Sequence, residues 1–329
     1  MAAMVAVAGP AMVIAAVLAT SGLTTTRSAD ADEPETRVIV NGKPVPVFFN
    51  DGDSFRVVSG AKKGVRARLA GFNTLETHGP VHQWGSWHAK ELYFIAKMAT
   101  LHARRGVWTC ETEWKLDTYG RTLMRCQDLG EELIRLGYAH ALSIDDSPAD
   151  AGFLAAQKEA MAARRGIWAH GVPPFVITSL HSSDEDSSRE WHYNRLVSTE
   201  DGHSITWNHR ERYAECQKVC QPAYPVNDNA VATLVAAVRA DPRAAPIIAG
   251  LSEDDLNATM RFYAQYRRIT RVIAKDKRIA LMQILQDMAN SAQSPLQGAL
   301  TDQPESELTC MIYTDFKRRF GTGKAACLR

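Results

Sequence analysis

The sequence predicts an α+β chain: a five-stranded OB-like Greek-key barrel with three helices, followed by a mainly helical C-terminal module. Three observations carry this. Short apolar-alternating runs between turn residues occupy the first half in the order three strands, helix, two strands, two helices. A Pro-Pro step and a Ser/Asp/Glu run interrupt the pattern at residues 172–190. Beyond them, apolar residues recur at helical spacing.

The elements follow in order. Val38 to Phe49 alternates and reads as one strand, with Ser54–Val58 and Val65–Leu69 as two more around the turn Ser59-Gly60-Ala61-Lys62-Lys63-Gly64. Gln83 to Ala103 reads as a helix with Trp84, Trp87, Leu92, Ile95 and Met98 on one face. These tryptophans, with Trp108 and Trp168, fit core or rim better than base-stacking platforms. Gly106–Thr112 and Arg121–Gln127 are strands joined by the polar loop around Asp117. Glu131–Leu136 is a short helix closed by Gly137, and Ser147–Arg165 a longer one with Pro148 in its first turn. Residues 37–171 therefore form one domain, 172–190 a linker, and 191–329 a helical domain built on Asp228–Arg239, Ser252–Tyr266 and Arg268–Asn290.

The 329 residues carry a net charge of only +1, so the whole chain does not announce a polyanionic partner. Charge is unevenly spread: residues 37–171 hold 18 Lys/Arg against 14 Asp/Glu, while residues 172–329 hold 19 of each. Met1 to Thr26 has no charged side chain, and Ser28-Ala29-Asp30-Ala31 offers a small-x-small cleavage pattern. Residues 1–31 read as a signal peptide or, uncleaved, as a membrane anchor through residues 1–26; either puts the rest outside the cytoplasm, periplasmic or secreted. Six cysteines without a CxxC pair suit an oxidising compartment. A metal set of His209, Cys216 and Cys220 is the alternative to disulfides there, and the pairing of Cys216, Cys220, Cys310 and Cys327 stays open.

Three short pieces carry groups suited to phosphodiester chemistry, which needs arginines on phosphoryl oxygens, hard oxygen ligands for a cation and a carboxylate to position water. They are Asp51-Gly52-Asp53, then Arg68-Leu69-Ala70-Gly71-Phe72-Asn73-Thr74-Leu75-Glu76, then Asp117-Thr118-Tyr119-Gly120-Arg121. Each alone reads as a turn with solvated charges. In this order and separation they resemble the thermonuclease, or staphylococcal nuclease-like, family. Glu131-Glu132-Leu133-Ile134-Arg135-Leu136-Gly137-Tyr138-Ala139 and Arg164-Arg165-Gly166-Ile167-Trp168 extend the resemblance from Arg37 to Gly171.

The resemblance implies a calcium-dependent nuclease, with DNA or RNA as the substrate. Asp53, Asn73 and the Thr74 carbonyl would hold Ca2+, with Asp51 in support. Glu76 would be the general base, Arg68 and Arg121 would grip the phosphate, and Tyr119 would lie against the substrate. Two residues depart from the family pattern at the site: Asn73 replaces an Asp, removing a negative charge from the metal site, and Leu75 replaces a Pro. Ser143 and Asp145 stand where the family's two-tyrosine nucleotide cradle would be. His78, His82 and His88 offer a zinc set, against the commoner reading as surface histidines. Cys110 and Cys126 flank the Tyr119 loop, and antiparallel pairing about it predicts a disulfide. The alternatives to the enzyme are a non-catalytic barrel that binds nucleic acid or protein, and a membrane-tethered envelope scaffold.

Overall fold

In the computed structural model, residues 37–291, 296, 300–316 and 325–328 are described; the N-terminal apolar segment lies outside them. No helix among the described residues is long and apolar enough to cross a membrane.

Strands β1 (Arg37–Val40) and β2 (Lys43–Asp51) form a hairpin around Asn41-Gly42, with φ of 47° and 78°. Those angles are the mirror-image turn that matches strand twist and favours Asn-Gly. The single strand expected over Val38–Phe49 is thus two. β3 (Ser54–Val57) and β4 (Arg66–Leu69) continue antiparallel. β5 (Phe72–Thr74) leaves to pair elsewhere, β6 (Val81–Gln83) follows, and helix α1 spans Ala89–Ala103. β7 (Val107–Cys110) and β8 (Thr122–Met124) then pair in parallel with β1 and β4. The result is a six-stranded sheet ordered β7-β1-β2-β3-β4-β8, in place of the expected five-stranded barrel. It curls into a half-barrel, and its two edges meet where Glu111 and Arg125 exchange backbone hydrogen bonds of 2.8 Å beside the Cys110–Cys126 disulfide. Phe49, Phe55, Leu69, Phe72, Met124 and Phe153 fill the interior.

The helix expected from Gln83 starts late because Gly85 turns at φ +53°, against His170; an added Cβ would meet that carbonyl oxygen at 2.1 Å. α2 (Gln127–Arg135), β9 (Ala139–Ala141) and α3 (Ala151–Ala162) complete this region. α3 begins four residues after the expected Ser147, where the Asp150 carboxylate caps the Gly152 and Phe153 amides. The Leu136-Gly137 and Arg165-Gly166 turns lock together: Ile167 N–H donates to the Gly137 carbonyl at 2.8 Å, and a Cβ on Gly166 would lie 2.1 Å from that oxygen. Two of the sequence motifs are therefore two halves of one backbone contact.

The expected linker and helical module depart furthest from the reading above. β10 (Phe175–Ser179) lies inside residues 172–190, and pairs with β11 (His192–Ser198), itself paired with β12 (Ser204–His209). β13 (Lys218–Ala223) precedes α4 (Asp228–Ala240), α5 (Ala245–Ile248), α6 (Glu253–Tyr266) and α7 (Lys275–Asn290). β14 (Ser306–Ile312) then joins β13 to β6 in a sheet ordered β13-β14-β6. The C-terminal half thus adds a strand beside residues 81–83 of the first half, and the described residues belong to one compact unit. The helices expected over Asp228–Arg239 and Ser252–Tyr266 are present, with Ser252 as the N-cap of α6. Disulfides Cys216–Cys327 and Cys220–Cys310 staple the sheet, which removes the His209/Cys216/Cys220 metal set.

Candidate active site

The site begins with a tight turn. Between β2 and β3 the register shifts at Phe49/Asp51, and Asp51-Gly52-Asp53 makes the reversal. Gly52 lies so close to Thr74 that an added Cβ would sit 2.5 Å from its methyl. That approach brings Asp53, only 2% exposed, onto β5. One Asp53 carboxylate oxygen accepts the Thr74 N–H at 2.8 Å, and the other accepts the Arg68 guanidinium. Arg68 reaches from β4, where its backbone opposes Ser54 across β3. Its second Nη donates to Asn73 Oδ1 at 2.6 Å, and Asn73 Nδ2 donates to the Thr74 carbonyl at 2.7 Å. Asp51 accepts from Ser54 Oγ at 2.5 Å.

Burial first, then repulsion from Asp53 and Glu76, pushes the Asp51 carboxyl well above the usual range. Burial works against the Arg68 charge, but attraction from Asp53, Asp51 and Glu76 outweighs it and raises its pKa. Arg68 thus pairs with Asp53 and feels the charge of Asp51 and Glu76. Carboxylate, amide and carbonyl oxygens are hard donors of the kind a divalent cation takes. The residues present therefore fit calcium in donor type, with Arg68 sharing two of the same oxygens.

Arg121 stands apart from the acids. The parallel pairing of Ala67 with Thr122 sets it beside Arg66, on the face of the sheet that carries Arg68. Its loop is wound on Asp117, whose Oδ1 accepts the Tyr119 and Arg121 amides at 2.9 and 2.8 Å. Asp117 Oδ2 takes Arg121 Nε and Nη2 at 2.8 and 2.7 Å. Partial burial would raise the Asp117 pKa, but the hydrogen bonds from Arg121 hold it low. The Arg121 side chain remains 32% accessible and stacks 5.4 Å from the Tyr119 ring centre. The Cys110–Cys126 disulfide anchors both strands below this loop.

Residues 66–170 match the family model of the staphylococcal nuclease homologues. That is a family of phosphodiester-hydrolysing nucleases, which typically use Ca2+. The match spans Arg68, Asn73, Thr74, Glu76, Tyr119 and Arg121, and starts after the Asp51–Asp53 turn. It leaves residues 171–329 outside. No curated protein matches the chain.

The structure gathers Asp51 and Asp53, which precede the matched region, with Arg68, Asn73, Thr74 and Glu76 inside it, and keeps Arg121 and Tyr119 on the neighbouring loop. The histidines of the zinc reading have other surroundings: His78 faces the Phe316 ring, His82 is buried on β6 and His88 is the N-cap residue of α1. Sequence reasoning passed over His140. It opposes Asn73 in the β5–β9 pair, and burial pulls its pKa down to about 4. Its place one residue beyond the Gly137-Tyr138-Ala139 turn was visible, but the β5 pairing was not.

Proposed function

We propose that this protein is an exported nuclease that hydrolyses phosphodiester bonds of DNA, RNA or both with the help of calcium. The observation that supports it best is the convergence of Asp51, Asp53 and Glu76 on Arg68, with Arg121 on the next loop of the same sheet face. Asp53, the Asn73 amide and the Thr74 carbonyl would hold the ion, with Asp51 behind them. When bound, calcium would supply positive charge against the phosphate. Glu76 would orient the attacking water and take its proton. Arg68 and Arg121 neutralise charge gathering on the phosphoryl oxygens, the contact that guanidinium forks serve best. Export rests on the apolar N-terminal segment and on six cysteines in three disulfides.

The second reading is a catalytically weak or inactive barrel that binds nucleic acid or protein. One observation favours it: Arg68 is tied to Asp53 and Asn73, and Arg121 to Asp117, so both guanidinium groups already have internal partners. The full chain should be offered single-stranded DNA, duplex DNA and RNA with calcium, with magnesium and with chelator. Cleavage that needs calcium and falls about 10²- to 10⁴-fold in Glu76→Gln supports the enzyme. Arg121→Ala should lose about 10²- to 10³-fold. Binding without cleavage from the folded protein supports the second reading, with Asn73→Asp as the rescue to try.

A further inference from the structure

We propose that β11 and the segment leading into it extend the nuclease-like site into a binding face for single-stranded nucleic acid, with Tyr193 as a base-stacking platform and Arg195 as a phosphate contact. These residues lie outside the matched region. The extension rests on the nuclease reading only in that the strand it holds is the one delivered to Arg121.

Tyr119 is 41% exposed, and its hydroxyl lies 3.0 Å from that of Tyr193. Four arginines surround the pair. Arg121 and Arg189 stand 5.4 and 5.8 Å from the Tyr119 ring centre, Arg195 stands 5.7 Å from the Tyr193 ring centre, and Arg66 Nη2 donates to the Tyr119 carbonyl at 2.9 Å. Two of them have carboxylates of their own: Asp117 holds Arg121, and Asp186 holds Arg189. Glu185 and Glu190, in the segment leading into β11, are likewise engaged, with His181 and Arg210. Among the described residues, Arg66 and Arg195 make no ion pair, and the buried Arg195 Nε has no hydrogen-bond partner. The face therefore carries two uncompensated positive charges beside two aromatic rings.

Strand geometry makes it continuous. Tyr193 and Arg195 are two residues apart and share one face of the β10–β11–β12 sheet, while Asn194 and Leu196 between and after them are buried. Across the pairing, Asn208 opposes Tyr193 and Thr206 opposes Arg195, and both are exposed. A phenol, a guanidinium, an amide and a hydroxyl thus line one open surface that abuts Tyr119. The Tyr193 hydroxyl, neutral at physiological pH like any phenol, does not repel phosphate; burial and the Tyr119 hydrogen bond push it further up, to about 12. Tyr119 is exposed, while Tyr193 is half-buried with the His181 ring 5.2 Å from its own. Arginines interleaved with such rings suit a single strand, whose unpaired bases offer π-faces that a duplex hides.

The test is binding of a fluorescein-labelled single strand to the full chain in chelator, read by anisotropy, beside the matching duplex. Tyr193→Ala should weaken single-strand binding by roughly tenfold, the low end of one stacked base, and leave the duplex unchanged. Tyr193→Phe, which keeps the ring and removes the hydroxyl contact, should bind as the parent does. Arg195→Gln should flatten the dependence of log affinity on log salt by about 0.7, one phosphate contact, and reports independently should Tyr193→Ala unfold. Equal weakening by Tyr193→Phe and Tyr193→Ala would make Tyr193 a tether for the Tyr119 loop and overturn the proposal. So would equal losses for duplex and single strand, or unaltered binding with an unaltered salt slope. Calcium-dependent cleavage is scored separately. Tyr193-dependent binding without cleavage in the parent leaves this proposal standing and removes the nuclease; cleavage with Tyr193-independent binding does the reverse.

Discussion

The turn around Asp53 and the face around Tyr119 share a sheet yet solve opposite electrostatic problems. The first is buried, acid-rich and organised around one guanidinium; the second is partly open and arginine-rich. Burial explains why they differ in sensitivity. Inside, an unmatched charge is costly and salt screens little, so the groups must be matched to each other or to a cation. Outside, water compensates each group, so the arginines can wait for an anionic strand and salt weakens whatever they bind.

The largest test of this contrast is a pair of variants. Arg68→Ala removes the cation that pairs with buried Asp53 and attracts Asp51 and Glu76, and should cost about 3 kcal/mol of stability in urea unfolding with chelator. Calcium should restore part of it by binding only the folded state. Arg121→Ala breaks a pair at the surface and should cost no more than about 1 kcal/mol. Equal costs would mean that burial does not set the two regions apart. Asn73→Asp adds a charged ligand and should tighten calcium binding on the order of tenfold, read by calorimetry. Unchanged affinity would mean that residue 73 does not face the ion.

The smallest effect is at acid pH, where the two halves of the chain meet. The Ser143 and Ala149 amides donate to the carbonyls of Gly202 and Asp201 in the β11–β12 turn, whose Asp201 carboxylate binds His203 and Arg271. Partial burial would raise the Asp201 pKa, but His203, then Arg271, hold it far below the usual range. A depressed folded pKa contributes stability that is complete above the unfolded value of about 4 and is lost as pH falls through the folded one. Protection of the Ser143 and Ala149 amides from hydrogen exchange, taken relative to their intrinsic rates, should therefore fall below about pH 4 and be flat above it. Loss of protection already at neutral pH would assign the docking to another group.

The candidate site was legible because its parts are local. Asp51-Gly52-Asp53, Arg68 to Glu76 and Asp117 to Arg121 are each a turn or a strand end, whose conformation is set by the neighbouring few residues. The Cys110–Cys126 pairing was readable for the same reason, since both flank one loop. Regular helices with strong caps, such as the one that Ser252 starts, were readable too. The second half was not. β13 and β14 lie on either side of four helices, and β14 completes a sheet with residues 81–83, so no short window carries the signal. Apolar runs of five to seven residues such as Phe175–Ser179 look alike in loops and in buried strands until a partner is known. What could be read along the chain was the set of charged groups in the three motifs, the Cys110–Cys126 loop and the Ser252 cap, because these depend on local sterics and hydrogen bonding. That His140 sits opposite Asn73, that Tyr193 meets Tyr119 and that Arg68 reaches both Asp53 and Asn73 came from the fold, because those juxtapositions pack residues from separate strands.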